Sequence, residues 1–187
     1  MSNQPELTRG QVLDLQRDLD VISIPFGKTL TLPAGTQVSV MQAKGTSISV
    51  SFEGRLYLVE SHHLDALGLP PTQRPYLAAG ASAADLEAFI WAQLRTCFDP
   101  EIPVNIVDLG LVYACKLVHL LDGRTLAQIK MTLTAPGCGM GEVIAQDAKR
   151  KILGAEDLDA VNIEIVFDPP WNREMMSEDA RLELGMF

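Results

Sequence analysis

Residues 132–140 carry the sequence TLTAPGCGM and mark the point where the pattern of apolar residues changes. Upstream of this stretch, apolar and polar residues alternate, which predicts a β-strand. Downstream, apolar residues recur at every fourth position until Gly154, which predicts one face of an α-helix. The alternating residues are Ala127, Ile129, Met131 and Leu133, and the helical ones are Met140, Ile144, Ala148 and Ile152. We therefore expect Cys138 at a strand-to-helix junction.

Cys138 at such a junction has the environment of a functional thiol. Free backbone N–H groups and the positive end of the helix dipole favour the thiolate, which is the form that binds metal or attacks a substrate. Gly137, Gly139 and Gly141 place no side chain beside the sulfur, so a ligand or a partner has room to approach it. The alternative is a small residue that merely fits a tight turn, because cysteine is more often buried and inert than reactive.

Composition restricts the class of protein. The chain has 187 residues, of which 47% are hydrophobic, so it can fill a core. A formal net charge of −9 argues against binding to nucleic acid or to anionic membranes, because both require a basic face. No apolar run approaches the length of a membrane span, and residues 1–6 do not resemble a signal sequence. We expect a soluble, cytoplasmic protein.

The three cysteines, Cys97, Cys115 and Cys138, are widely spaced and odd in number, which fits a reducing compartment better than a disulfide framework. No two are spaced as C-x-x-C, which excludes a self-contained zinc site or four-cysteine cluster site. Cys97 and Cys115 each share a face with apolar residues of a predicted helix or strand. We expect both of these thiols to be buried.

Composition also divides the chain into four segments. Residues 1–20 are polar and predict a loose lead-in. Residues 21–67 contain short alternating segments separated by glycine turns, which predict a small all-β module, an antiparallel sheet or half-barrel. Residues 68–81 contain three prolines and many small residues, which is typical of a linker. Residues 82–187 form the second domain.

Two adjacent histidines, His62 and His63, close the β-rich module. Adjacent side chains point in different directions on a regular element, and no cysteine or carboxylate has the spacing to join them. The sequence therefore favours a solvated or loosely packed pair over a metal site.

The second domain reads as two layers. Ser82 and Asp85 form a capping-box start for a helix, and Asp122-Gly123 joins two alternating segments as a hairpin. The helix after Cys138 is followed by a third strand over residues 161–167 and a short terminal helix over about 177–184. The order α-β-β-α-β-α predicts an α+β domain in which helices cover one face of a mixed sheet.

Four motifs in this domain resemble a known family. They are residues 99–103 (DPEIP), 105–112 (NIVDLGLV), 132–138 (TLTAPGC) and 168–171 (DPPW). In this order they are similar to the iron–sulfur cluster assembly domain shared by SufT and the PaaD-like proteins. The β-rich extension also resembles the N-terminal part of the SufT group, through residues 32–36 (LPAGT) and 65–68 (DALG).

This resemblance implies an accessory, non-enzymatic role in the maturation of iron–sulfur proteins, in partnership with SUF-type assembly proteins and apo client proteins. It implies that Cys138 is the reactive cysteine and the metal ligand. It also implies that supporting residues surround this cysteine, namely Asp99, Glu101, Asp108, Thr132 and Thr134. The same acids and threonines have structural alternatives as helix caps, turn residues or cross-strand hydrogen-bonding partners.

A bound iron ion or cluster needs more ligands than one cysteine provides, so a second subunit, a partner or a small thiol must complete the coordination. A homodimer is one solution. Two other functions compete with this one. A cysteine-nucleophile enzyme needs a base, and His119 is expected at the far end of its strand from Leu111. A structural adaptor, serving an oxygenase complex as PaaD-like proteins do, needs no reactive thiol.

Overall fold

The secondary structure follows from a computed structural model that describes residues 7–45, 47–70, 75–99, 102–135 and 140–186. Cys138, Gly137, Gly139 and Glu101 lie outside the described residues. The chain divides into two units, residues 1–74 and 75–187. Among the described residues, no helix has the length and apolar character that crossing a bilayer requires.

The first unit is one antiparallel sheet of six strands in the order β1-β4-β5-β6-β2-β3. The strands are β1 (Val12–Asp14), β2 (Leu19–Ile24), β3 (Thr29–Leu32), β4 (Gln37–Lys44), β5 (Ser47–Phe52) and β6 (Arg55–Val59). A 3-10 helix over Ser61–Leu67 follows β6. The apolar residues at alternate positions form the core of this unit, which confirms the expected small all-β module.

The expectation of a loose lead-in over residues 1–20 is wrong for its second half. Strand β1 pairs with β4, and β2 begins at Leu19. Leu15 and Leu19 are both buried in the core of the sheet. Burial of two leucines offsets the low β-propensity of the polar neighbours, which masked the strands in the sequence.

The second unit contains α1 (Ala83–Leu94), β7 (Val112–His119), β8 (Thr125–Met131), α2 (Met140–Ile152), β9 (Ala160–Ile165) and α3 (Glu178–Glu183). Strand β8 pairs antiparallel with β7 and parallel with β9, so the sheet is mixed. Helices α1 and α2 pack on each other, and they contact β7 and β9 respectively. This order and layering confirm the predicted α+β class.

Local signals place these elements. The side chain of Ser82 accepts the N–H of Asp85, whose carboxylate accepts the N–H of Ser82, so α1 starts at the predicted capping box. Gly123 takes a left-handed φ of 88° in the turn between β7 and β8. The third strand is shorter than expected. It ends at Ile165, and Phe167 is 46% exposed, because the chain leaves the sheet before Asp168.

Candidate functional site

The topology of the second unit brings three of the four motifs to one end of the sheet. Strand β8 ends at Met131 and the parallel strand β9 ends at Ile165, so the segments that follow them emerge on the same side. Strand β7 is antiparallel to β8 and therefore starts there, at Val112. We call this region the motif end, defined as residues 97–99, 102–111, 132–134 and 168–177.

The loop that precedes β7 is shaped by Asn105. Its Oδ1 accepts hydrogen bonds from the N–H groups of Val107 and Asp108, at 3.0 and 2.9 Å. Its Nδ2 donates to Oδ2 of Asp108 at 2.5 Å. The half-buried carboxylate of Asp108 thus has the geometry of a turn residue, and one of its oxygens already accepts a bond.

The last motif, residues 168–171, is hydrogen-bonded to the loop before β7 and to β7 itself. The indole Nε1 of Trp171 donates to the carbonyl of Leu109 at 2.8 Å, and the N–H of Ser177 donates to the carbonyl of Asp108 at 2.8 Å. The hydroxyl of Tyr113, on β7, donates to the carbonyl of Pro169 at 2.8 Å. These bonds join two segments that lie about 60 residues apart in the sequence.

Gly110 makes this closure sterically feasible. Its φ is +71°, and a Cβ built on it would lie 2.1 Å from the carbonyl oxygen of Met175. Only glycine therefore allows the backbone of residues 173–175 to pass so close to the loop.

The first motif is attached to the same loop. The N–H of Ile106 donates to the carbonyl of Cys97 at 3.0 Å, and Phe98 forms a bridge with Asn105. Asp99 is only 7% exposed, and its carbonyl accepts the N–H of Ile102. Described residues of the second, third and fourth motifs are thus joined by hydrogen bonds at one end of the sheet, and the two residues directly before the first motif pair with the same loop.

Thr132 lies directly after β8, in the motif end. Its N–H donates to the carbonyl of Leu111 at 2.8 Å, which fixes the backbone. The residue is fully buried, and within the described part of the chain its Oγ1 makes no hydrogen bond. Thr134 is half-buried. A buried hydroxyl without a partner costs about 1–3 kcal/mol, so this residue is not explained by the stability of the fold.

Gly141 has a role in packing. A Cβ on Gly141 would lie 2.6 Å from Cδ1 of Leu133 and 3.1 Å from Cδ1 of Ile165. The missing side chain lets the first turn of α2 pack against Leu133, just after β8, and Ile165, at the end of β9. Gly141 therefore has a packing role besides the expected one, and the room it leaves beside Cys138 stays a prediction.

The two described cysteines are held as thiols. Cys97 is fully buried where α2 meets the chain after α1, and burial raises its pKa to about 12 although Lys151 Nζ lies 3.8 Å from its Sγ. Burial also raises the pKa of the half-buried Cys115 to about 11, with a smaller contribution from Glu87. Neither is a thiolate at neutral pH.

His119 does not approach the motif end. It closes β7 at the hairpin end, where its Nδ1 lies 3.1 Å from Oγ1 of Thr125. Eight residues of extended chain separate it from Leu111, a distance of about 25 Å. It cannot act as a base for a thiol near Thr132 without a large rearrangement.

Sequence reasoning missed Tyr113 and Ser177, which tie the last motif to the loop. Tyr113 acts through its side-chain hydroxyl and Ser177 through its backbone N–H, and each contact joins segments that are distant in the sequence. A signal was present for Ser177, because a serine followed by acidic residues is a helix cap, and its hydroxyl accepts the N–H of Ala180. No local pattern identified Tyr113.

The fold and the motif end define a class: a two-layer α+β domain in which the segments that carry the motifs lie at one end of a three-stranded mixed sheet. Residues 87–165 match the family model for an iron-sulfur cluster assembly protein. The chain belongs to this family, because relatives that it covers almost completely are well above 30% identical to it.

One relative is a Fe-S protein maturation auxiliary factor of Porphyromonas gingivalis, 44% identical over 99 residues, which are 53% of this chain and 90% of that protein. The factor YitW of Bacillus subtilis is 36% identical over 101 residues, which are 54% of this chain and 95% of that protein. The factor SufT of Staphylococcus aureus is 36% identical over 88 residues, which are 47% of this chain and 96% of that protein. Each match spans about half of this chain.

Proposed function

We propose that this protein is an accessory factor in the maturation of iron–sulfur proteins and that Cys138 holds the iron, cluster or client protein that it handles. The three relatives are Fe-S protein maturation auxiliary factors, which supports the accessory role. The observation that supports the site is that described residues of the second, third and fourth motifs are hydrogen-bonded to one another at one end of the sheet, with the start of the first motif beside them. Cys138 follows Thr132 by six residues in the sequence and belongs to the third of these motifs.

The chemistry of the neighbouring groups supports this choice of thiol. Cys97 and Cys115 have raised pKa values, so thiolate chemistry at neutral pH is left to Cys138. Asp99, Glu101 and Asp108 are hard oxygen donors, suited to assist in the transfer of iron rather than to hold a cluster. The buried hydroxyl of Thr132 adds a donor and acceptor that the described residues leave unused.

One thiolate cannot complete the coordination of a cluster, so the cargo is shared in this proposal. The remaining ligands come from a second copy of the chain, from SUF-type assembly proteins or from the apo client. A shared cargo is also released readily, because loss of one partner removes part of its coordination.

The proposal assigns no catalysis. An enzyme with a cysteine nucleophile needs a base within hydrogen-bonding reach, and His119 lies at the opposite end of the hairpin. The names of the relatives, which are auxiliary factors, agree with a non-enzymatic role.

The test combines iron binding with function in cells. The full chain is purified without oxygen and titrated with Fe²⁺ and sulfide, and its visible absorption is recorded for wild type, Cys138→Ala and the matched control Cys115→Ser. We expect the control to retain the iron-dependent band and Cys138→Ala to lose it. In cells that lack the protein, we expect wild type and Cys115→Ser to restore the activities of iron–sulfur enzymes and Cys138→Ala to fail to restore them. Normal rescue by Cys138→Ser would overturn the thiolate proposal and favour a structural adaptor.

A further inference from the structure

The first unit contains a cluster of donor side chains that the proposed function does not use. Glu60, His62 and His63 each offer one ligand atom, and these three atoms lie within 4.8 Å of one another. The sequence predicted that no carboxylate would join the two histidines. This prediction is wrong, because Glu60 lies at the turn where the chain leaves β6.

The backbone explains why these side chains meet. Glu60 is extended, with φ −75° and ψ 150°, and the next residues enter a 3-10 helix. The N–H of His63 donates to the carbonyl of Glu60 at 2.9 Å. In a 3-10 helix, residues i and i+3 lie on the same side, which places His63 above Glu60. The ring of His62 lies beside that of His63, with centroids 4.0 Å apart.

The cluster stands on a fixed support. Leu64, Ala66 and Leu67 of the same 3-10 helix are buried in the core of the β-sheet. Gly68 ends the helix in the left-handed conformation, and its N–H donates to the carbonyl of Asp65. The three donors are therefore carried by a short segment whose backbone is anchored on both sides.

We propose that Glu60, His62 and His63 form a binding site for a divalent first-row transition-metal ion. Two imidazoles and one carboxylate are the donor set of many zinc and non-haem iron(II) sites. Oε2 of Glu60 lies 3.8 Å from Nε2 of His62, close to the separation of about 3.4 Å between two ligands of a tetrahedral ion. All three ligand atoms lie within 4.8 Å of one another, so changes in side-chain rotamer alone are expected to bring them into one coordination sphere.

The exposure of the donors fits a site that exchanges its ion. The side chains of His62 and Glu60 are 31% and 24% exposed. The protein supplies three ligands, so a fourth position stays open to water or to an incoming ligand. A structural ion, by contrast, is enclosed by four protein ligands.

Arg17 competes with the ion. Its guanidinium is held by Asp65 through two bonds, Nε to Oδ2 at 2.7 Å and Nη2 to Oδ1 at 2.6 Å. The same Nη2 lies 3.3 Å from Nδ1 of His63. This positive charge lies beside a ring nitrogen of His63, competes with an ion for the basic lone pair of that ring, and repels a divalent cation. We therefore expect a weak, releasable site that becomes tighter when Arg17 is removed.

The experiment titrates the metal-free full chain with Co²⁺ in the absence of oxygen, follows the visible absorption, and then displaces Co²⁺ with Zn²⁺ or Fe²⁺. Changes to residues that only contact a metal ligand weaken metal binding by about 10–100-fold. Loss of a direct ligand should cost at least as much, so we expect His62→Gln and His63→Gln each to weaken Co²⁺ binding by at least about 30-fold. We expect Arg17→Ala to strengthen binding by about 10-fold.

Two control variants identify the site. His119→Gln removes the third histidine of the chain and Cys115→Ser removes a half-buried thiol, and neither change should alter Co²⁺ binding. All proteins in this titration also carry Cys138→Ala, so that the proposed thiolate adds nothing to the Co²⁺ band. Circular dichroism shows whether the histidine variants fold. If the histidine variants do not fold, the expected rise in Co²⁺ affinity of Arg17→Ala is the test of the site. Two results would overturn the site. One is no saturable Co²⁺ binding below about 1 mM, and the other is no gain of affinity in Arg17→Ala. Neither result bears on the proposed role of Cys138, which has its own test.

Discussion

Two buried polar regions of the second unit differ in whether their polar atoms have hydrogen-bonding partners among the described residues. Where α2 meets the chain after α1, Nζ of Lys151 donates to Oδ2 of Asp147 at 2.6 Å and to the carbonyl of Thr96 at 2.9 Å. The side chains of Lys151 and Asp147 are 8% and 12% exposed. At the motif end, the buried Oγ1 of Thr132 has no partner among the described residues.

The difference separates a structural role from a functional one. A buried charge is stable only when it is paired and hydrogen-bonded, and Lys151 meets both conditions. An unsatisfied buried hydroxyl is a cost to the fold, and such costs are typical of sites that serve a ligand or partner. The comparison predicts that changes near Lys151 reduce stability and that changes at Thr132 reduce function.

The largest effect is expected for Lys151→Ala. This change removes the closest cation from the buried Asp147 carboxylate, leaving it the Cys97 thiol and the more distant Arg150 at 3.6 Å, and it removes the donor to the carbonyl of Thr96. We expect the free energy of unfolding to fall by about 3 kcal/mol, measured by chemical denaturation. Lys149→Ala, an exposed lysine of the same helix, is the control and should change stability by less than about 0.5 kcal/mol. If the two variants lowered the free energy of unfolding equally, the buried ion pair of Lys151 would not stabilise the fold more than a surface lysine does.

The second effect concerns the closure of the motif end. Gly110→Ala places a Cβ against the carbonyl of Met175 at a left-handed φ, whereas Gly123→Ala has the same kind of φ and no atom within 4 Å. We expect Gly123→Ala to cost about 1 kcal/mol from backbone strain alone. Gly110→Ala should cost about 2 kcal/mol more, because the segment 173–175 must move away. Thermal unfolding of the two variants measures the difference. Equal losses would show that the close approach at Gly110 does not stabilise the fold.

The sequence predicted the elements of this domain better than it predicted the contacts between them. The capping box at Ser82 and the turn at Asp122-Gly123 depend on residues a few positions apart, and both are present. The position of three motifs at one end of the sheet follows from the strand directions, which the structure supplies. The local sequence pattern does not predict the hydrogen bond from Trp171 to Leu109 or the burial of Lys151. Both depend on contacts between segments more than 50 residues apart.

The charged residues near helix ends show the same limit. Lys151 lies in the last turn of α2, where a lysine ordinarily faces solvent and the helix dipole. It is buried because it lies one turn after Asp147 and next to Ile152, on the side that faces the end of α1. At the motif end, Cys138, Glu101, Gly137 and Gly139 lie outside the described residues, so their roles stay predictions from the resemblance.

The smallest effect on stability, and the sharpest test of the comparison, is expected for Thr132→Val. Valine keeps the shape of threonine and replaces the unpartnered hydroxyl by a methyl group, so the free energy of unfolding should stay equal or rise by about 1 kcal/mol. Thr132→Ser keeps the hydroxyl and loses a methyl group, which should cost about 1 kcal/mol. Iron-dependent absorption should follow the opposite order, being retained in Thr132→Ser and reduced in Thr132→Val. A loss of more than about 2 kcal/mol in Thr132→Val would mean that the hydroxyl stabilises the fold after all, and Thr132 would then belong with Lys151.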